Sequence, residues 1–81
     1  MARITLNTLQ PGEHGIVDHV ESTKSAIRQR LLEMGLTKGT SIEMIRFAPM
    51  GDPIEIAVRG YRLSLRRVEA ETVVVHKSID P

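Results

Sequence analysis

Turn-forming residues punctuate this chain at short intervals, and their spacing limits what it can fold into. Pro11-Gly12, Gly35, Lys38-Gly39, Pro49, Gly51, Pro53 and Gly60 each interrupt regular structure. Proline fixes φ and removes a donor, while glycine accepts the positive φ that tight turns need. Between these points lie pieces of strand length and one convincing piece of helix length. Short strands with frequent turns favour a small barrel over an open sheet, because closure removes exposed edges. The length agrees, since 81 residues make a single domain spanning 1–81. Such a domain buries only roughly 60% of the surface that its unfolded chain exposes.

Leu9-Gln10-Pro11-Gly12-Glu13 reads as a turn. Residues 14–21 carry Ile16, Val17 and Val20 and are β-prone, with a bend or bulge expected at Gly15. Residues 23–34 form the helix, capped by Ser22 or Thr23, with Ile27, Leu31 and Met34 on one stripe. Gly35 ends it in the left-handed region, and Leu36 folds back towards Leu31 as in a Schellman motif. Residues 41–48 make a strand whose facing changes near Met44-Ile45, and 49–53 form a loop. Ile54, Ile56 and Val58 then alternate cleanly with Glu55, Ala57 and Arg59. Gly60-Tyr61 reverses the chain, and Tyr61, Leu63 and Leu65 share a face. A short 3₁₀ turn over 66–71, a last strand over 72–76 and a fraying polar tail over 77–81 complete the reading. The expected fold is mainly β, a small barrel of five or six strands with one inserted helix.

Composition narrows the function. Eleven Lys+Arg against ten Asp+Glu leave a net charge of +1, whereas a dedicated DNA-binding domain has a pI above about 9. The absence of cysteine excludes disulfides, iron–sulfur clusters and cysteine-ligated zinc. No stretch approaches the ~18 apolar residues of a membrane span, and the first residues make no signal peptide. A soluble, cytoplasmic protein is expected.

Chemistry-bearing patterns are sparse. His14, His19 and His76 are the general bases of the physiological range, and no Gly-x-Ser-x-Gly accompanies them. Neither phosphate-cradling glycine motif is present. No catalysis and no cofactor are expected. His14 and His19 stand at an odd spacing, which points them to opposite faces of a strand unless a bulge intervenes. Arg59, Arg62, Arg66 and Arg67 form a basic cluster. Nucleic-acid-binding barrels usually add stacking aromatics, of which this cluster has only Tyr61. A solvated face paired with Glu55, Glu69 or Glu71 is the ordinary alternative. The helix and the loop beyond it offer a docking surface: Arg28, Leu32, Leu36, Met50, Asp52 and Tyr61 are the candidate contacts. The competing reading places Leu32 and Leu36 in the core and Met50 over the barrel end.

Three blocks then become recognisable. They are Arg30-Leu31-Leu32-Glu33-Met34-Gly35-Leu36-Thr37-Lys38-Gly39-Thr40, Ala48-Pro49-Met50-Gly51-Asp52-Pro53-Ile54-Glu55-Ile56, and Arg59-Gly60-Tyr61-Arg62-Leu63-Ser64-Leu65-Arg66-Arg67-Val68-Glu69-Ala70. Together with the opening Leu9-Gln10-Pro11-Gly12-Glu13, in this order and spacing, they resemble the FeoA family, ferrous iron transport protein A. The resemblance implies an SH3-like barrel with an inserted helix. It also implies a cytosolic accessory of FeoB, the GTP-binding ferrous iron permease, held at the inner membrane face through that partner. It brings no catalytic residue or metal site with it, and self-association stays open. The C-terminal SH3-like domains of metal-dependent iron and manganese repressors are similar too. They imply the alternative of a regulatory module. Met1 stands only a few residues before the first strand, which favours the free-standing form.

Overall fold

The alternation of Ile54, Ile56 and Val58 becomes a strand with those three side chains buried and Glu55 and Ala57 on its other face. It belongs to a computed structural model that describes residues 3–78. In chain order the elements are β1 (Arg3–Thr5), a 3₁₀ turn (Leu6–Thr8), β2 (His14–Val20), α1 (Ser25–Glu33), β3 (Ser41–Phe47), β4 (Ile54–Val58), β5 (Tyr61–Leu65), α2 (Arg67–Ala70) and β6 (Val73–Lys77). All neighbouring strands are antiparallel, in the order β1-β6-β2-β3-β4-β5. Helix α1 is an excursion between the paired strands β2 and β3.

The sheet curls around one core. Val17, Ile42, Met44, Ile56, Leu65, Val73 and Val75 come from five strands, and Leu6 and Leu31 join them. All are essentially inaccessible to water. Truncating one of these leucines to alanine is worth about 2–5 kcal/mol. Among the described residues no ladder joins β1 to β5, so side-chain packing closes the interior while both outer strands keep an edge.

Several expectations change in detail. The helix starts two residues later than read, with Lys24 at the N-cap and no side-chain cap; Ser22 instead accepts from the Lys24 N–H at 3.2 Å. The β2 bulge lies between Val17 and His19, not at Gly15. Gly15 is in register with both neighbours, and a Cβ there would stand 3.2 Å from the His76 carbonyl, so close approach explains the glycine. The expected change of facing in β3 is present as a register shift between Met44 and Arg46. The β4–β5 reversal is Arg59-Gly60, at φ 49° and 86°, and Tyr61 already belongs to β5. The 66–71 turn is a short α-helix. Lys77 does not fray: it ends β6 and pairs with Glu13 at 2.6 Å. Of the expected tail, 79–81 lie outside the described residues.

Candidate functional site

The C-terminal end of α1 is built by local rules. Gly35 sits at φ 99°, its N–H donates to the Leu32 carbonyl at 3.0 Å, and the Leu36 N–H donates to the Leu31 carbonyl at 3.2 Å. That pair of bonds is the Schellman motif. It turns Leu36 fully into the core, so Leu36 is not a contact residue. The Tyr61 hydroxyl donates to the Met34 carbonyl at 2.6 Å and fastens β5 to the helix end. Arg28 is exposed on α1, and Leu32 is half-buried against the core.

The loop over 48–53 is held by α2. Asp52 Oδ1 accepts the Arg67 N–H at 3.0 Å and lies 3.7 Å from Arg66 Nε. An acid at a helix start meets unpaired N–H groups there. Met50 is 92% exposed beside it. A groove of about 380 Å³ runs under the loop, lined in part by Asn7, Gln10, Phe47 and Arg67.

Helix α2 also reaches α1. Glu69 is buried, accepts the Arg66 N–H at 2.9 Å and is ion-paired to Arg30 of α1. The candidates therefore fall into two groups, Arg28, Leu32 and Tyr61 around α1 and Met50 and Asp52 on the loop, with α2 joining them. Sequence reasoning missed the outer residue of α2, Val68, which is 65% exposed. With Ile27 and Thr72 it lines a second groove of about 300 Å³. A lone valine between charged residues carries no periodic signal, so only the helical conformation of 67–70 reveals its facing.

The basic cluster is only partly neutralised. Arg67 lies 3.9 Å from Glu71, Arg66 pairs with Asp52, and Arg59 donates to the Thr40 hydroxyl at 3.1 Å. Glu69, one of the expected partners, is taken by Arg30 instead.

The histidines separate into two sites. The bulge puts His14 and His19 on the same outer face, reversing the expectation from spacing. His14 faces Glu43 at 3.5 Å. His19 Nδ1 lies 2.6 Å from Asp18 and its Nε2 3.2 Å from Glu21, while His76 Nε2 approaches the other Asp18 oxygen at 3.4 Å. Hydrogen bonds to Glu21 and then Asp18 raise the His19 pKa. The bond from His19, then that from His76 and the charge of Arg3, hold the Asp18 carboxyl below its ordinary value. Among the described residues no set of three or more His, Asp or Glu is arranged to hold a metal ion, and no helix is long and apolar enough to cross a membrane.

Comparison with known proteins shows the family. The family model described as the FeoA domain matches residues 4–77. The chain belongs to the FeoA family. It is 34% identical over 70 residues to the Fe(2+) transport protein A/Fe(2+) transporter FeoB fusion protein of Porphyromonas gingivalis, covering 86% of this chain and 8% of that protein's length. The FeoA-like protein of Clostridium acetobutylicum superposes with a TM-score of 0.88 at 34% identity, over 100% of this chain and 93% of the other. The zinc-complexed FeoA of Stenotrophomonas maltophilia gives 0.79 at 35% identity, over 89% and 88%. That protein is described as a prokaryotic SH3 domain protein with a suggested role as a ferrous iron transport activating factor. The fold is thus SH3-like, as FeoA membership implies. Likeness to T. acidophilum IdeR, TM-score 0.84 at 18% identity over 96% of this chain and 35% of that one, is one of fold.

Proposed function

We propose that this FeoA-family chain is a non-enzymatic accessory of ferrous iron uptake that binds the cytosolic part of a FeoB-type GTP-binding permease. The carrying observation is the Porphyromonas gingivalis relative, in which a transport protein A unit and the transporter FeoB form one polypeptide. A covalent link raises the effective concentration of two units for each other towards the millimolar range, which serves units that act on one another. The site supports a docking role. Exposed Met50 sits on the loop that α2 holds and exposed Val68 on α2 itself, Arg28 adds a charge on α1, and Asp52 and Tyr61 hold the two sides in place. Methionine adapts to irregular partner surfaces.

Modulation requires different affinity for the states of the permease, since equal binding shifts nothing. The test is binding of the full chain to detergent-purified FeoB loaded with GDP or a non-hydrolysable GTP analogue, with GTP hydrolysis followed in parallel. Saturable binding that differs between the nucleotide states is the expected result. Absence of binding in both states, with unchanged hydrolysis, overturns the proposal. A mobility-shift experiment with duplex DNA at low salt separates this reading from a repressor-like one, which requires salt-sensitive retardation.

A further inference from the structure

Among the described residues strand β5 ends the sheet with one side unpaired. It is reached from β4 through Arg59 and Gly60, both at positive φ, with Val58 opposite Tyr61. In a two-residue hairpin of this kind the closing pair exchanges both hydrogen bonds, and the pattern alternates from there. The N–H and C=O groups of Tyr61, Leu63 and Leu65 therefore point to β4. Those of Arg62 and Ser64 point to the open side, where no backbone partner meets them among the described residues. Both residues are exposed.

This edge is basic. Residues 59–67 contain four arginines and no acid. Arg62 makes no ion pair among the described residues, and Arg66 engages Asp52 only through Nε at 3.7 Å. Such charge keeps a second copy away, because β5 against β5 would bring the arginines of both copies together. A nucleic acid offers no peptide ladder to match the outward N–H and C=O groups, and a single tyrosine gives little stacking.

We propose that the open edge of β5 takes an extended acidic polypeptide segment as an added strand, the main chain pairing with Arg62 and Ser64 and the carboxylates meeting Arg62 and Arg66. This names a recognition mode and a partner chemistry that hold whether or not the partner is the permease.

The full chain, labelled with ¹⁵N, is titrated with a synthetic peptide of about nine residues, a usual strand length, alternating valine and glutamate. The same peptide with lysine for glutamate, and an oligouridylate, are titrated alongside. Saturable shifts centred on Arg62 and Ser64, with slowed amide exchange there, are expected for the acidic peptide alone. R62E combined with R66E weakens its binding at least about tenfold. Ser64→Pro removes an outward N–H, spares the β4 ladder and abolishes binding. The charge-reversed variant keeps the test decisive if proline unfolds the hairpin. No saturable binding of the acidic peptide, equal binding of the lysine peptide, shifts centred elsewhere or oligouridylate binding at this edge overturns the proposal.

Discussion

The Tyr61 hydroxyl donates a 2.6 Å hydrogen bond to the carbonyl of Met34, the C-cap of α1, across 27 residues of sequence. That carbonyl belongs to the helix end, where the backbone has no partner of its own. Tyr61→Phe keeps the ring and removes the donor. A loss of about 0.5–1.5 kcal/mol is expected in urea unfolding, with an unchanged far-ultraviolet dichroism spectrum. An unchanged midpoint would mean that water serves the carbonyl equally well.

Gly35 meets two constraints at once. Its φ is 99°, and a Cβ there would stand 3.3 Å from the Tyr61 hydroxyl. Gly35→Ala is expected to cost about 1 kcal/mol or more in the same unfolding measurement. In a Y61F background the contact with the hydroxyl is gone and the cost falls towards the φ penalty alone, so the two substitutions couple.

Arg30 and Glu69 tie the two helices together, with the carboxylate buried and the arginine half-exposed. Arg30→Ala leaves a buried acceptor without its charged partner, which costs about 1–3 kcal/mol. Thermal unfolding of Arg30→Ala and of the double variant Arg30→Ala/Glu69→Gln checks the cause, because neutralising the orphaned carboxylate should recover part of the loss.

Of these features, some were legible in the sequence and some were not. The helix end at Gly35-Leu36 and the alternation of Ile54, Ile56 and Val58 are local patterns, and both were readable because φ sign and period act within a few residues. The Arg30–Glu69 pair spans 39 residues, and no local rule selects it over other acids. Leu36 carries the same hydropathy in a core as in a docking surface, and only the fold-back onto Leu31 decides. The bulge at Asp18 is likewise set by pairing with β6, which periodicity within β2 does not encode.

The pH response follows from the Asp18 cluster. His19 has a folded pKa raised above its ordinary 6.5. Its contribution to stability is therefore complete below that value and is lost as pH rises through the raised one. Asp18 has a folded pKa below its ordinary 3.8, so its contribution is present above that value and is lost as pH falls through the lowered one. Between about pH 4 and 6.5 both contributions are in place. Stability measured against pH for the parent and His19→Gln should show the parent's advantage shrinking above the upper limit. A difference that stays constant across neutrality would show that the imidazole charge is not involved.

The most direct measurement of the central claim is the affinity of the full chain for a purified FeoB-type permease in its GDP and GTP-analogue states, compared with Met50→Asp and Arg28→Glu. Both substitutions lie on exposed positions, where stability changes stay within about 0.5 kcal/mol. Binding by the parent that differs between the nucleotide states and weakens several-fold in each variant, with melting curves unchanged, is the predicted result. A chain that ignores the permease in both states, or binds it identically with and without the substitutions, contradicts the account.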